Sequence, residues 1–178
     1  MRTHLTILML LFLTACKTEF RKTVEKYPNG KVSVEYVYPD KSDTNKFFYV
    51  AYYENGDTMF KSQVKDMMFV GQKINYFSNG KIADIETLFK PVSFYDSLYD
   101  CQIQYFSPNG NPLKIIYFKN GVKALPSKYW LDGGITLTGT YYDSNHTTVL
   151  WQWFDKNNQI IKQKKDTGNS SGFSTLFN

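Results

Sequence analysis

The chain has 178 residues, a formal net charge of +5 and only two cysteines. This length is enough for one domain with a hydrophobic core. The charge is mild and the lysines are scattered, so the composition argues against a nucleic-acid partner. The one small basic group, Lys162, Lys164 and Lys165, is typical of a solvated strand end.

The N-terminus has the pattern of a secretory signal peptide. Arg2 supplies the positive charge, and residues 5–15 are almost entirely apolar. Eleven residues are too few to span a bilayer, which takes about 20, but they fit the hydrophobic region of an export signal. We therefore predict a signal peptide over residues 1–15.

The apolar run ends in Leu13-Thr14-Ala15-Cys16, which resembles the bacterial lipobox. The resemblance implies that the chain is cleaved before Cys16 and that this residue carries covalent lipid. Several acyl chains give a stable membrane anchor. Lys17, and not aspartate, follows Cys16, which in lipoproteins of this kind implies transport to the outer membrane. Whether the body faces the periplasm or the exterior stays open. The alternative is an ordinary signal peptide with an accidental cysteine, which would leave the mature protein without an anchor.

Lipidation would leave Cys101 as the only thiol of the mature chain, so no intrachain disulfide is expected. Beyond the lipid on Cys16 we predict no cofactor.

Five Asn-Gly pairs, each preceded within three positions by an aromatic residue, dominate the rest of the chain. Asn-Gly between apolar runs favours a type I′ hairpin turn, because both central residues need positive φ. We therefore predict five hairpin turns, formed by Gly30, Gly56, Gly80, Gly110 and Gly121. Pro28 and Pro108 lack the N–H that would close a two-residue loop, so those two turns are expected to be longer or distorted.

The segments between the turns favour strands, because they alternate or are rich in aromatic and β-branched residues. The predicted strands cover residues 32–38, 46–53, 69–77, 101–106, 113–118, 135–142 and 149–154. An irregular connection is expected over 89–95, and degenerate turn copies at 141–145 and 153–158. The predicted fold is all-β, an elongated antiparallel meander of repeated hairpins. Its parts are a linker (16–26), a repeat domain (27–165) and a polar tail (166–178).

The repeated unit resembles the MORN repeat, in the variant that reads aromatic-aromatic-x-Asn-Gly-Lys. The best copy spans residues 69–82 and includes Gly71 and Tyr76-Phe77-Ser78-Asn79-Gly80-Lys81. The resemblance implies an antiparallel meander with protein or lipid contact rather than catalysis. Some proteins with this variant are described as antitoxins, which adds toxin immunity to the functions considered.

The residues offer little for catalysis. His146 would be the only histidine of the mature chain, and a lone histidine in a turn is most often a surface residue. Gly168-Asn169-Ser170-Ser171-Gly172 fits the nucleophile-elbow pattern, but no acid or histidine follows it. We therefore predict that the protein is not an enzyme and has no metal site. The alternative is an envelope hydrolase that acts on glycan through paired carboxylates, drawn from Asp96, Asp100, Asp132 and Asp143.

Phe, Tyr and Trp make up 17% of the chain. Cross-strand packing of rings would explain this content, and so would a binding face. The binding-face hypothesis points first to Trp130, Trp151 and Trp153, of which the last two would share one face of a strand. The predicted function is therefore a lipid-anchored binding or scaffold protein without catalysis, whose partner is another envelope protein or a glycan.

Overall fold

The computed structural model describes residues 19–141 and 148–167. The predicted signal peptide, Cys16, His146 and the segment 168–178 lie outside the described residues. The described part forms thirteen strands and one short 3-10 turn, Asp132–Gly134. The strands are β1 (Phe20–Lys26), β2 (Val32–Tyr38), β3 (Lys46–Tyr52), β4 (Thr58–Lys65), β5 (Met68–Tyr76), β6 (Ile82–Leu88), β7 (Val92–Ser93), β8 (Cys101–Phe106), β9 (Pro112–Lys119), β10 (Val122–Trp130), β11 (Thr136–Tyr141), β12 (Thr148–Phe154) and β13 (Ile160–Thr167). No helix in these described ranges is long and apolar enough to cross a membrane.

All strands belong to one antiparallel sheet, in which nearly every strand pairs with its neighbours in sequence. The predicted all-β antiparallel meander is therefore confirmed. The exception is β7, which pairs with the first residues of β5 while β6 pairs with the rest of that strand. β8 then pairs with β6, so the connection over residues 89–100 lies outside the regular ladder.

Because the strands are in register, paired residues of neighbouring strands line up in rows that run across the sheet. Directly opposed residues of antiparallel strands share a face. One row passes through Tyr36, Tyr49, Ser62, Lys73, Glu86, Ile103, Ile116, Ser127, Gly139 and Trp151. We call this side the core face, because all three hydrophobic clusters lie on it. The other side is called the opposite face.

Four of the Asn-Gly turns share one geometry, which is not type I′. In the first, the Gly30 N–H donates to the Tyr27 carbonyl (2.9 Å) and the Tyr27 N–H donates to the Lys31 carbonyl (2.8 Å). Gly30 has φ +82, whereas Asn29 is not among the residues with positive φ. This is a type I turn followed by a left-handed glycine, a three-residue loop. The same bonds recur over 53–57, 77–81 and 107–111.

The expected type I′ turn is therefore wrong at 53–57 and 77–81, whereas the turns at 27–31 and 107–111 are longer than two residues, as their prolines predicted. A type I turn accepts proline at its second position, so Pro28 and Pro108 fit the same geometry as the other copies. The type I′ form occurs at Asn120 and Gly121, whose φ values are +50 and +73. It also occurs at Asp66 and Met67, with φ +51 and +60, where no glycine marks it in the sequence.

The limits of the sheet differ from the predicted domain limits. The predicted linker 16–26 contains strand β1, every residue of which is exposed. Because no side chain of β1 is buried, its sequence has no clear hydrophobic alternation, and its place in the sheet depends on backbone pairing with β2. At the other end β13 continues to Thr167, past the predicted end of the domain.

The alternating direction of the strands separates the connections into two edges. The tip edge carries the turns at 27–31, 53–57, 77–81, 107–111, 131–135 and 155–159. The loop edge carries the connections 39–45, 66–67, 89–100 and 120–121, and β1 begins there. The two edges differ in chemistry, which matters for the candidate site.

Candidate functional site

Trp151 and Trp153 are buried in a core cluster with Tyr129 and Leu137. The Trp151 ring lies over Gly139, its partner on β11. Of the two hypotheses for the aromatic residues, the structure therefore places these two in the core. They present no ring to a partner, which corrects their assignment to a binding face.

Trp130 lies on the opposite face. It follows Tyr129, which belongs to the core cluster, and successive residues of a strand point to opposite sides. Its ring is half-buried, and Lys128 Nζ lies 5.0 Å from the ring centroid. The three tryptophans therefore do not form one surface.

The opposite face carries an apolar stripe that the sequence analysis missed. Paired residues on neighbouring strands form a row, and all of its members are half-buried. The row consists of Ile74, Ile85, Gln104 and Ile115. We call it the isoleucine stripe. The period-2 pattern of β5, β6 and β9 contains these positions, but the pattern alone does not say which face packs.

A lysine stacked on an aromatic ring stands at each end of the isoleucine stripe. Lys61 pairs with Ile74 and its Nζ lies 4.6 Å from the centroid of the Phe48 ring. Lys128 pairs with Ile115 and covers Trp130. Such cation–π contacts hold each ammonium group over a ring and keep it at the surface. The stripe is thus a mainly apolar strip, with the amide of Gln104 between Ile85 and Ile115 and a positive charge at either end.

A depression of about 340 Å³ opens beside Lys61. It lies where a bulge shifts the pairing of β4 and β5, and Gly71, at φ +72, adds no side chain to it. Its lining residues are Phe48, Lys61, Ser62, Gln63, Val70, Gly71, Gln72 and Ile74. Two amide side chains and one ammonium group here meet apolar side chains.

The core face contains a largely buried charged pair. Lys73 and Glu86 are directly opposed on β5 and β6, and Lys73 Nζ lies 3.5 Å from Glu86 Oε1. The two side chains are only 13% and 12% exposed. Lys73 also donates a hydrogen bond of 2.6 Å to the hydroxyl of Tyr99 and lies over the rings of Tyr99 and Phe69. The pair therefore ties the connection 89–100 down onto the sheet.

Two acidic protons next to this pair are held more tightly than usual. Burial, reinforced by Glu86, raises the pKa of the Cys101 thiol to about 11. Burial and a hydrogen bond with Glu86 raise the pKa of the Tyr99 hydroxyl. The raised pKa and the burial of the thiol both disfavour its ionised, nucleophilic form at neutral pH. The observed role of the cluster is to hold the connection 89–100 against the sheet.

A second charged cluster lies between β1, β2 and β3. The Glu35 carboxylate is buried, accepts a hydrogen bond of 2.5 Å from Arg21 and accepts another from the hydroxyl of Tyr52. Burial, followed by the hydrogen bond to Glu35, raises the pKa of Tyr52 to about 12. Every group here has a partner, so the cluster joins the exposed strand β1 to its neighbours.

Hydrogen bonds connect successive turns along the tip edge. The Tyr27 hydroxyl donates to the Tyr52 carbonyl (2.5 Å), and the Tyr53 hydroxyl donates to the Tyr76 carbonyl (2.6 Å). Further along, the Asn79 amide donates to the Pro108 carbonyl (3.1 Å). The tips therefore satisfy one another's polar groups.

Of the carboxylates considered for hydrolysis, Asp132 lies apart from Asp96 and Asp100. Asp96 and Asp100 lie on the loop edge, where each accepts a backbone N–H bond, from Ser93 and Asn120 respectively. Asp132 lies on the tip edge, at the other end of the strands. Asp143 is outside the described residues. Within residues 19–141 and 148–167 no group of three His, Cys, Asp or Glu side chains could hold a metal ion.

No protein-family model and no curated protein matches this chain. The similarity to MORN repeats therefore stays a prediction from the sequence.

Proposed function

We propose that the protein is an exported lipoprotein, anchored to the outer membrane through Cys16, that binds another envelope protein as a scaffold without catalysis. The isoleucine stripe on the opposite face is the observation that carries the binding role. The lipobox and the apolar run before it support the anchor. The repeated hairpins, which resemble MORN repeats, supply a rigid support for the stripe.

The chemistry of the stripe favours a protein partner. Ile74, Ile85 and Ile115 offer apolar area without hydrogen-bonding groups, which suits apolar side chains of a partner. Lys61 and Lys128 at its ends complement carboxylates placed around such a patch, and this complementarity fixes the orientation of binding. A toxin held in an immunity complex would be one partner of this kind.

A glycan is the second candidate, and the depression beside Lys61 is the observation that favours it. Gln63 and Gln72 offer amide donors and acceptors next to the apolar side chains of Phe48 and Val70. Polar groups at an apolar platform are what a sugar requires. The two partners would therefore use adjoining parts of the same face.

The test is a pull-down with the Cys16→Ser chain immobilised on beads, in which a bound partner is crosslinked to the chain. We expect Ile85→Lys to reduce capture of a protein partner at least tenfold, because it places a buried charge in the centre of the contact. We expect Gln72→Ala to leave protein capture unchanged and to weaken only glycan binding. Partners are identified by mass spectrometry, and glycans by an array.

The matched control is Gln163→Lys, which adds a lysine to the same face but on the exposed edge strand β13. Equal capture by the Ile85→Lys and unaltered chains would contradict binding through the stripe. Release of sugars or peptides from purified envelope material would contradict the non-enzymatic role.

A further inference from the structure

The most exposed large apolar side chains of the described residues all lie on the loop edge. They are Met67 (65% exposed), Phe89 (57%), Tyr95 (95%), Leu98 (70%) and Val122 (68%). We call them the apolar rim. Exposed apolar residues at the tip-edge ends of strands are fewer and less exposed. The exposed residues of the tips are polar, charged or Gly and Pro, whereas their aromatic and aliphatic side chains are half-buried.

The members of the apolar rim lie on three neighbouring connections of the loop edge, 66–67, 89–100 and 120–121, with Val122 directly after the last. Met68, next to Met67, pairs with Ser93, and the Ser93 hydroxyl accepts a hydrogen bond from the Tyr95 backbone. Leu98 packs against the turn at Gly121, next to Val122. With strands about 4.8 Å apart, the distance from the turn at 66–67 to the turn at 120–121 is roughly 19 Å along the edge.

The chain enters the sheet at this same edge. β1 begins at Phe20, which is itself exposed, and the predicted lipid site Cys16 is four residues earlier. Four residues reach at most about 14 Å. The tip edge is about 20 Å from Phe20, the length of β1. The predicted lipid is therefore attached at the loop-edge end of β1, by a segment that is shorter than the distance to the tips.

We propose that the apolar rim is a second membrane contact, which rests on the bilayer surface beside the lipid anchor and orients the tips away from it. This inference rests on the proposed anchoring. Aromatic and long apolar side chains at a membrane surface bury their area at the boundary of headgroups and acyl chains. Phe89, Tyr95 and Leu98 have that character. A sheet held at the lipid and along the rim stands upright, with both faces accessible to partners.

The test uses the mature lipidated protein in vesicles of phosphatidylethanolamine and phosphatidylglycerol. A polarity-sensitive fluorophore is attached at Tyr95→Cys on the rim or at Ser78→Cys on a tip. Cys101 is buried and keeps its proton, and the unaltered chain measures any background labelling. Lipids that carry a quencher in the acyl chain should reduce emission several-fold at position 95 and leave position 78 unchanged. Equal quenching, or none at either position, would overturn the proposal.

The same sample separates this inference from the anchoring on which it rests. Mass spectrometry of the mature N-terminus reports whether Cys16 carries lipid, and its absence would contradict the anchor. The Cys16→Ser chain then tests the rim alone by sedimentation with vesicles. Tyr95→Ser combined with Leu98→Ser should lower partitioning at least about tenfold.

Ile160→Ser combined with Ile161→Ser is the matched control, because it removes two exposed apolar side chains on β13, where that strand begins near the tip edge. Partitioning of this control should match that of the unaltered chain. If the rim variants abolish self-association of the Cys16→Ser chain while vesicle binding is absent, the rim contacts a second copy and the proposal is overturned.

Discussion

Replacing Gly139 by valine is expected to lower the free energy of unfolding by about 3 kcal/mol or more. A Cβ at this position would lie 2.4 Å from Trp151 Cζ3 and within 2.8 Å of two further ring atoms. The Trp151 ring is buried in the core cluster with Leu137, so it has no open space into which to move. Urea denaturation followed by tryptophan fluorescence measures the loss.

Two controls isolate the contact between Gly139 and the ring. Thr138→Val changes the neighbouring residue on the opposite face and should stay within about 0.5 kcal/mol. Gly139→Ala combined with Trp151→Leu should cost less than the sum of the two single changes, because the smaller side chain makes room for the methyl group. A Gly139→Val chain as stable as the unaltered one would show that the ring does not lie over Gly139.

Replacing Glu86 by leucine is expected to cost about 3 to 5 kcal/mol. The change leaves the Lys73 ammonium group on the core face, 13% exposed and without its carboxylate partner. The Tyr99 hydroxyl and the two rings near Lys73 carry no negative charge that could replace the carboxylate. Thermal and urea unfolding measure the effect, and protease cleavage within 89–100 reports release of the connection that Tyr99 holds.

Removing both charges separates the ion pair from simple loss of packing. Lys73→Met combined with Glu86→Leu should recover most of the stability, because no buried charge is left without a partner. Lys65→Met, at an exposed lysine on the neighbouring strand, is the control and should be nearly neutral. A double variant as unstable as the Glu86→Leu chain would contradict the role of the pair.

The strands could be predicted from the sequence wherever one of their faces is buried. β2 and β8 were predicted with their observed bounds, since aromatic and branched residues alternate along them. β1 and β13 lie at the two edges of the sheet and are almost wholly exposed, so no hydrophobic pattern marks them. Their places are set by backbone bonds to β2 and β12, which single-sequence reasoning does not reveal.

The turn positions could be predicted, and so could the longer turns at Pro28 and Pro108, but the turns at 53–57 and 77–81 were expected to be type I′ and are not. Asn-Gly fits both a type I′ turn and a type I turn that ends in a left-handed glycine. The prolines at 28 and 108 were the signal that separates these two forms. Counting back from the three-residue loop at 78–80 would pair Lys73 with Ile85. A register shift between Asn75 and Tyr76 moves the pairing by one residue, so that Lys73 pairs with Glu86. The sequence does not mark this shift, so the pairing could not be predicted from it.

The surfaces could not be predicted, because they depend on which face of the sheet packs. Trp151 and Trp153 share a face, as expected from their spacing, yet only the structure shows that this face is the core. The isoleucine stripe lies on the other side for the same reason. The apolar rim collects residues from separate connections, which are brought together by the meander and not by proximity in sequence.

The measurement that tests the central claim most directly is fractionation of cells that produce the full chain or its Cys16→Ser variant. The account predicts that the unaltered protein sediments with the outer membrane and carries lipid on Cys16. It predicts that the variant loses the lipid and that most of it moves to the soluble envelope fraction. Any membrane binding that the variant keeps should be weakened by substitutions in the apolar rim. An unaltered protein without lipid, or firm membrane retention of the variant in high salt, would contradict it.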